Sequence, residues 1–367
     1  MKRRAPVALL AAGCAAALGA ALLSSTGAAG AASPVVTTPA PAGAVSYAPL
    51  ARPGPTLDVP TATLAAALQC SGTFTAASPE PVLLVPATGV TPEQNYSWNY
   101  ELDFTAQGRP WCAITLPQHT LGDIQTAGEY IVFGIRTMFA MAHQRIAVLG
   151  HSQGGMSMRW ALRFWPDTRP MVDDVIGMAG TNHGTKALPC IAGFDKCAPA
   201  DWQQGRKSNF IQALNSGTET FAGISYTEIF THTDEVVEPN STDKSSSSAL
   251  HTGAGAISNI STQDICPLDV YEHLTVGTID PAAYAMVMDA LTHPGPAERS
   301  RISKKVCAEL YQPGVDPLNV QTYLQVLAAA PGLLTVSLPG VPLVDVPETK
   351  AEPPLRCYVF ASGCPTS

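Results

Sequence analysis

Residues 145 to 155 read Arg145-Ile146-Ala147-Val148-Leu149-Gly150-His151-Ser152-Gln153-Gly154-Gly155. A β-rich apolar run ends in Gly150-His151-Ser152-Gln153-Gly154, and a helical pattern with Met156, Trp160, Leu162 and Phe164 opens at once. Strand, G-x-S-x-G, helix is the arrangement of a nucleophile elbow, which belongs to the α/β-hydrolase fold. A serine on so sharp a turn leaves no room for side chains two residues before or after it. Gly150 and Gly154 supply that room. The turn also lifts the hydroxyl to the positive end of the following helix. The plainer alternative is a glycine-rich strand-to-helix turn in which Ser152 only caps the helix. The strand-to-helix context favours the nucleophile.

Working outward, the chain has 367 residues, enough for one large α/β domain. Residues 1–31 read as a secretory signal peptide. Lys2, Arg3 and Arg4 form a basic start, residues 9–23 are almost wholly Ala, Leu and Gly, and Ala29-Gly30-Ala31 is a small-residue cleavage site. A membrane anchor fits less well, because the apolar run is short and ends in small residues. Removing this leader takes away three positive charges, from a formal net charge of −8 to −11. No basic block remains, which argues against nucleic acid as a partner. The mature chain is expected to be a monomer with no transmembrane anchor.

Of nine cysteines, Cys14 leaves with the leader. The even set that remains is Cys70, Cys112, Cys190, Cys197, Cys266, Cys307, Cys357 and Cys364. In an exported chain this implies disulfides, with the pairing left open by the sequence alone. No C-x-x-C pair occurs, so neither a zinc site nor a redox motif is favoured, and no metal or cofactor is expected.

Residues 32–62 are rich in Pro, Ala and Thr and should be extended, either disordered or wrapped on the surface. The catalytic domain is expected over residues 63–367. Strands are expected at 81–86, 112–116, 145–149, 173–179 and 226–231, with a helix at 126–142. Alternating strands and helices point to a mostly parallel central sheet with helices on both faces. Residues 241–248 read as a polar, serine-rich loop. Residues 323–344 are apolar but interrupted by Pro-Gly pairs, as a helix-and-loop flap over a greasy site would be, with an ordinary amphipathic surface helix as the equal alternative.

A serine needs a base, and the base needs an orienting acid. In this fold the order along the chain is serine, acid, histidine. Asp234 is the leading acid, in a loop directly after the strand at 226–231, where an α/β sheet builds its site. Glu235 and Asp243 are its rivals. His273 is the leading base, with His251 and His293 as alternatives. His151, His183 and His232 fail the order rule. The N–H of Gln153, at the start of the helix, is one expected oxyanion donor. The loop Ala87-Thr88-Gly89 is the expected source of a second, with the Thr88 hydroxyl in addition.

Four blocks in order resemble the secreted lipase B family typified by the yeast Candida (Pseudozyma) antarctica, over residues 70–364. They are Leu83-Leu84-Val85-Pro86-Ala87-Thr88-Gly89, Ser152-Gln153-Gly154-Gly155, Thr233-Asp234-Glu235-Val236-Val237-Glu238-Pro239, and His273 some seven residues after Cys266. The resemblance implies Ser152, Asp234 and His273 as catalytic residues and Thr88 and Gln153 as the oxyanion hole. It implies the disulfides Cys70–Cys112, Cys266–Cys307 and Cys357–Cys364. Cys190 and Cys197, without a counterpart, would pair locally in a segment similar to the family's short lid. The chain also departs from the family. Gly150-His151 replaces Thr-Trp before the serine, placing His151 on the alcohol side of the pocket. Thr181 replaces an acidic residue of the acyl pocket, where Gln204 is retained. Ala87 replaces a glycine.

The expectation is therefore a secreted lipase or esterase that works through an acyl-serine, its partners being lipid or small ester substrates at a lipid–water interface. A polyester depolymerase or an acyltransferase would share the same residues. A non-catalytic hydrolase-fold binding protein is the rival from another class.

Overall fold

The computed structural model describes residues 45–187, 190–316 and 348–364. The expected leader, the first part of the Pro/Ala/Thr-rich segment and the expected flap at 323–344 lie outside the described residues. Among the described residues seven strands form one sheet. They are β1 (Leu68–Ser71), β2 (Val82–Val85), β3 (Trp111–Ile114), β4 (Ile146–His151), β5 (Val172–Met178), β6 (Ser225–Phe230) and β7 (Ala256–Ser261). Their spatial order is β1-β3-β2-β4-β5-β6-β7. β1 is antiparallel to β3, and every other neighbouring pair is parallel.

The central strands are buried on both faces because their sequences allow it. β2 is Val-Leu-Leu-Val and β4 opens Ile-Ala-Val-Leu, and each is wholly buried. Parallel strands joined by crossover helices need such runs. Alternate residues feed two cores. Leu83, Val85, Val148 and Val175 meet the helices Ile124–Ala142 and Gln153–Phe164 on one face. Leu84, Ala147, Leu149 and Ile176 meet Tyr100–Ala106 and Pro281–Thr292 on the other. The five expected strands and the helix lie within two or three residues of the observed ones. β1 and β7 were not foreseen.

Residues 45–60 run over the surface of this unit. Asp58 and Val59 donate their N–H groups to Glu129 Oε2 at 2.6 and 2.9 Å, and Trp165 Nε1 donates to the carbonyl of Pro55 at 2.8 Å. Disulfides join Cys70 to Cys112, Cys190 to Cys197, Cys266 to Cys307 and Cys357 to Cys364. The first ties β1 to β3 at register partners. The C-terminal ends of β2, β4 and β6 share one rim. The loops and turns leaving it carry Thr88, Ser152 and Asp234, and His273 follows from the end of β7.

Candidate active site

Ser152 sits between the end of β4 and the helix Gln153–Phe164 with φ 55° and ψ −120°. Positive φ is costly for a residue with a side chain and persists only when its surroundings fix it. Two hydrogen bonds do so here. Ser152 N donates to the Met178 carbonyl at 2.8 Å, and Gly155 N donates to the Ser152 carbonyl at 3.0 Å. The flanking glycines are sterically required. A Cβ on Gly150 would lie 2.4 Å from the Gly154 carbonyl carbon, and one on Gly154 would lie 2.2 Å from the Val85 carbonyl oxygen.

Asp234, in the loop after β6, and His273, the first residue of the short helix His273–Val276, converge on this serine. Ser152 Oγ lies 2.9 Å from His273 Nε2, and His273 Nδ1 lies 3.0 Å from Asp234 Oδ2. A carboxylate only accepts, so the proton sits on Nδ1 and Nε2 is left to accept from the serine. Asp234 Oδ1 accepts from the N–H groups of Val236 (3.0 Å) and Val237 (2.7 Å), and Oδ2 also accepts from Asn240 Nδ2 (3.0 Å). The histidine loop is stitched to the acid strand, since Thr231 and Thr233 both donate their hydroxyls to the Tyr271 carbonyl. Burial opposes the imidazolium of His273. The charge and hydrogen bond of Asp234 outweigh it and raise His273 above the ordinary 6.5.

Thr88 and Gln153 meet beside the serine. The Thr88 hydroxyl donates to Gln153 Oε1 at 2.9 Å and accepts from Gln204 Nε2 at 3.0 Å. Gln204 Nε2 also reaches Gln153 Oε1 at 3.2 Å, and Thr181 Oγ1 donates to Gln204 Oε1 at 3.1 Å. Four residues named from sequence thus form one connected polar group, with Thr181, Gln153 and Gln204 buried. Gln153 is the first residue of its helix, so its backbone N–H has no intrahelical acceptor.

His151 corrects an expectation. It does not face the alcohol side of a pocket, because its ring is 0% exposed. The ring nitrogens lie 3.0 Å from the His273 carbonyl oxygen and 3.3 Å from Asn95 Nδ2. A Cβ on Gly277 would come within 2.3 Å of the ring, so the histidine fills the space behind the His273 backbone. Burial, and next the neighbouring His273, push it down to about 3 and keep it neutral.

The rivals fall away by position. Glu235 and Asp243 are exposed, and Asp234 alone of the three bonds to His273. His251 is exposed, and His293 pairs with Asp289. Sequence reasoning missed Asn240 and Asn95. The latter accepts the Ala87 N–H at 2.9 Å through Oδ1 and so fixes the loop before Thr88. Neither belongs to a recognisable motif. The serine-rich loop is also only half as read, since residues 241–245 are exposed but Ser246, Ser247 and Ser248 are buried. Among the described residues, one carboxylate group could share a cation, Glu80 with Asp173 and Asp174. Asp173 there is paired to Arg145 at 2.8 Å, and the group lies near the N-terminal ends of the strands, away from Ser152.

A serine held at such an elbow, above a parallel sheet with helices on both faces, defines an α/β hydrolase. The model of the family Lipase (class 2) matches residues 132–273. Lipase B of Pseudozyma antarctica is 31% identical over 316 residues, covering 84% of this chain and 88% of that protein. The crystal structure of Aspergillus fumigatus lipase B superposes with a TM-score of 0.73 at 30% identity, covering 88% of this chain and 77% of the other. The chain belongs to the lipase B family and is a carboxylic ester hydrolase. Among the described residues no helix is long and apolar enough to cross a membrane.

Proposed function

We propose that the protein is a secreted lipase or esterase that cleaves carboxylic esters of lipids through an acyl-serine intermediate. The observation that carries this reading is the unbroken contact chain from Ser152 Oγ to His273 to Asp234, at 2.9 and 3.0 Å. Ser152 Oγ attacks the acyl carbonyl while His273 Nε2 takes its proton. Asp234 holds the Nδ1–H tautomer and stabilises the imidazolium that forms. The tetrahedral oxyanion is received by the N–H groups of Gln153 and Thr88, with the Thr88 hydroxyl turning from Gln153 Oε1 to donate to it. His273 returns its proton to the leaving alcohol, and water then releases the acid by the same route. Residues 1–31 act as the leader and residues 63–367 supply the catalysis. The four disulfides fit an oxidising compartment.

Hydrolysis of p-nitrophenyl esters of increasing acyl length tests the reading. Ser152→Ala should abolish turnover at every length with the fold intact. Retained turnover in that variant would refute the assignment.

A further inference from the structure

We infer that Asn240, held in one orientation by Ser246, is a positioning residue that fixes the Asp234 carboxylate toward His273; this rests on Asp234 being the acid of the proposed triad. The argument is one of donors and acceptors. Asp234 Oδ2 receives two donors, His273 Nδ1 and Asn240 Nδ2, both at 3.0 Å. Asn240 is 4% exposed, so its amide is shielded from bulk water. An asparagine amide can flip, and a flipped Asn240 would set its carbonyl oxygen against the carboxylate.

Ser246 prevents the flip. Its Oγ accepts the N–H groups of Ser248 at 3.0 Å and Ala249 at 3.1 Å. Both acceptor positions are then occupied, and its single proton is left for Asn240 Oδ1, 2.6 Å away. The Ser248 N–H adds a longer contact to the same oxygen at 3.4 Å. The polarity of the chain is therefore set from the backbone of residues 248–249, through Ser246 and Asn240, to Asp234 and His273. Each link is buried. Aligned hydrogen bonds in such surroundings reinforce one another. The buried half of the serine-rich loop has a task that its composition does not reveal.

The test measures kcat, KM and the pH profile of short-chain ester hydrolysis in wild type, Asn240→Leu, Ser246→Ala, Ser246→Thr and the double variant Asn240→Leu/Ser246→Ala. Asn240→Leu should lower kcat roughly ten- to a hundredfold, the scale of one buried charge-assisted hydrogen bond, with KM changed less than about threefold. The acid limb should move, because Asp234 loses a donor that shared its charge. Ser246→Ala should lose less, and Ser246→Thr, which keeps the hydroxyl, should recover most of that loss. The double variant should be no slower than Asn240→Leu alone, since both act through one link. The downfield proton of His273 Nδ1 in NMR spectra at acid pH should shift in each impaired variant. If Asn240→Leu does not fold, Ser246→Ala with its threonine rescue decides. Unchanged kcat and an unmoved Nδ1 proton in a folded variant would overturn the inference. If Ser152→Ala remains active, the parent reading has failed instead.

Discussion

Acidification should destabilise this protein through His151, one residue before the nucleophile. In the unfolded chain this histidine binds a proton near its ordinary 6.5; in the fold, burial and next His273 push it down to about 3. Between those values the unfolded state holds a proton that the native state refuses. Stability must then rise with pH across the window and fall on acidification. One pKa unit is worth about 1.4 kcal/mol, so at pH 4 the loss from this single ring is roughly 3 kcal/mol. His273 has the opposite sign. Its raised folded value gives a contribution complete below 6.5 and lost as pH rises through that folded value, so it partly offsets the loss between pH 7 and pH 4 but does so in wild type and variant alike and drops out of their comparison. The assay is urea unfolding at pH 7 and pH 4, disulfides intact, for wild type and His151→Asn. Carboxylates titrate in both proteins, and the difference between the two losses isolates His151. Wild type should lose roughly 3 kcal/mol more than the variant. Equal losses, within about 0.5 kcal/mol, would refute the reasoning.

Four further outcomes follow from the same geometry. The kcat/KM profile should fall on the acid side with a midpoint above the ordinary 6.5, because the base must be neutral and Asp234 favours its charged form; a midpoint below that value would contradict it. Thr88→Val removes one hydroxyl from the oxyanion group and should cost about a hundredfold in kcat, measured against an unchanged melting temperature. Gly154→Ala forces a Cβ to 2.2 Å from the Val85 carbonyl oxygen, so soluble expression or thermal stability should collapse. Cys190 and Cys197 close a short loop bearing the exposed Ile191 and Phe194, and the bridge restricts its excursions. Wild type should show little rate jump at an emulsion surface, and Cys190→Ser/Cys197→Ser should show a larger one.

The nucleophile turn and the central strands were legible because their signals are local. A buried parallel strand must be apolar throughout, and an elbow must place glycines on both sides of its serine. The edge strands carry no such signal. β1 is Leu-Gln-Cys-Ser with two exposed positions, and β7 is Ala-Ile-Ser-Asn-Ile-Ser, and neither reads as a buried run. His151 was misread because sequence does not say where the side chain beside a nucleophile goes; the space behind His273 decided it. Asn240 and Ser246 were hidden for a related reason. Serines and asparagines look alike in a solvated loop and in a satisfied buried network. Only the partners distinguish the two.

The central claim is that Ser152 is a nucleophile activated by His273. It is tested most directly by reacting the protein with a phosphonate ester probe and locating the adduct by mass spectrometry. The account predicts one adduct per chain, on Ser152, formed far more slowly in His273→Ala. A folded protein that stays unlabelled, or that carries the adduct on another residue, would contradict it.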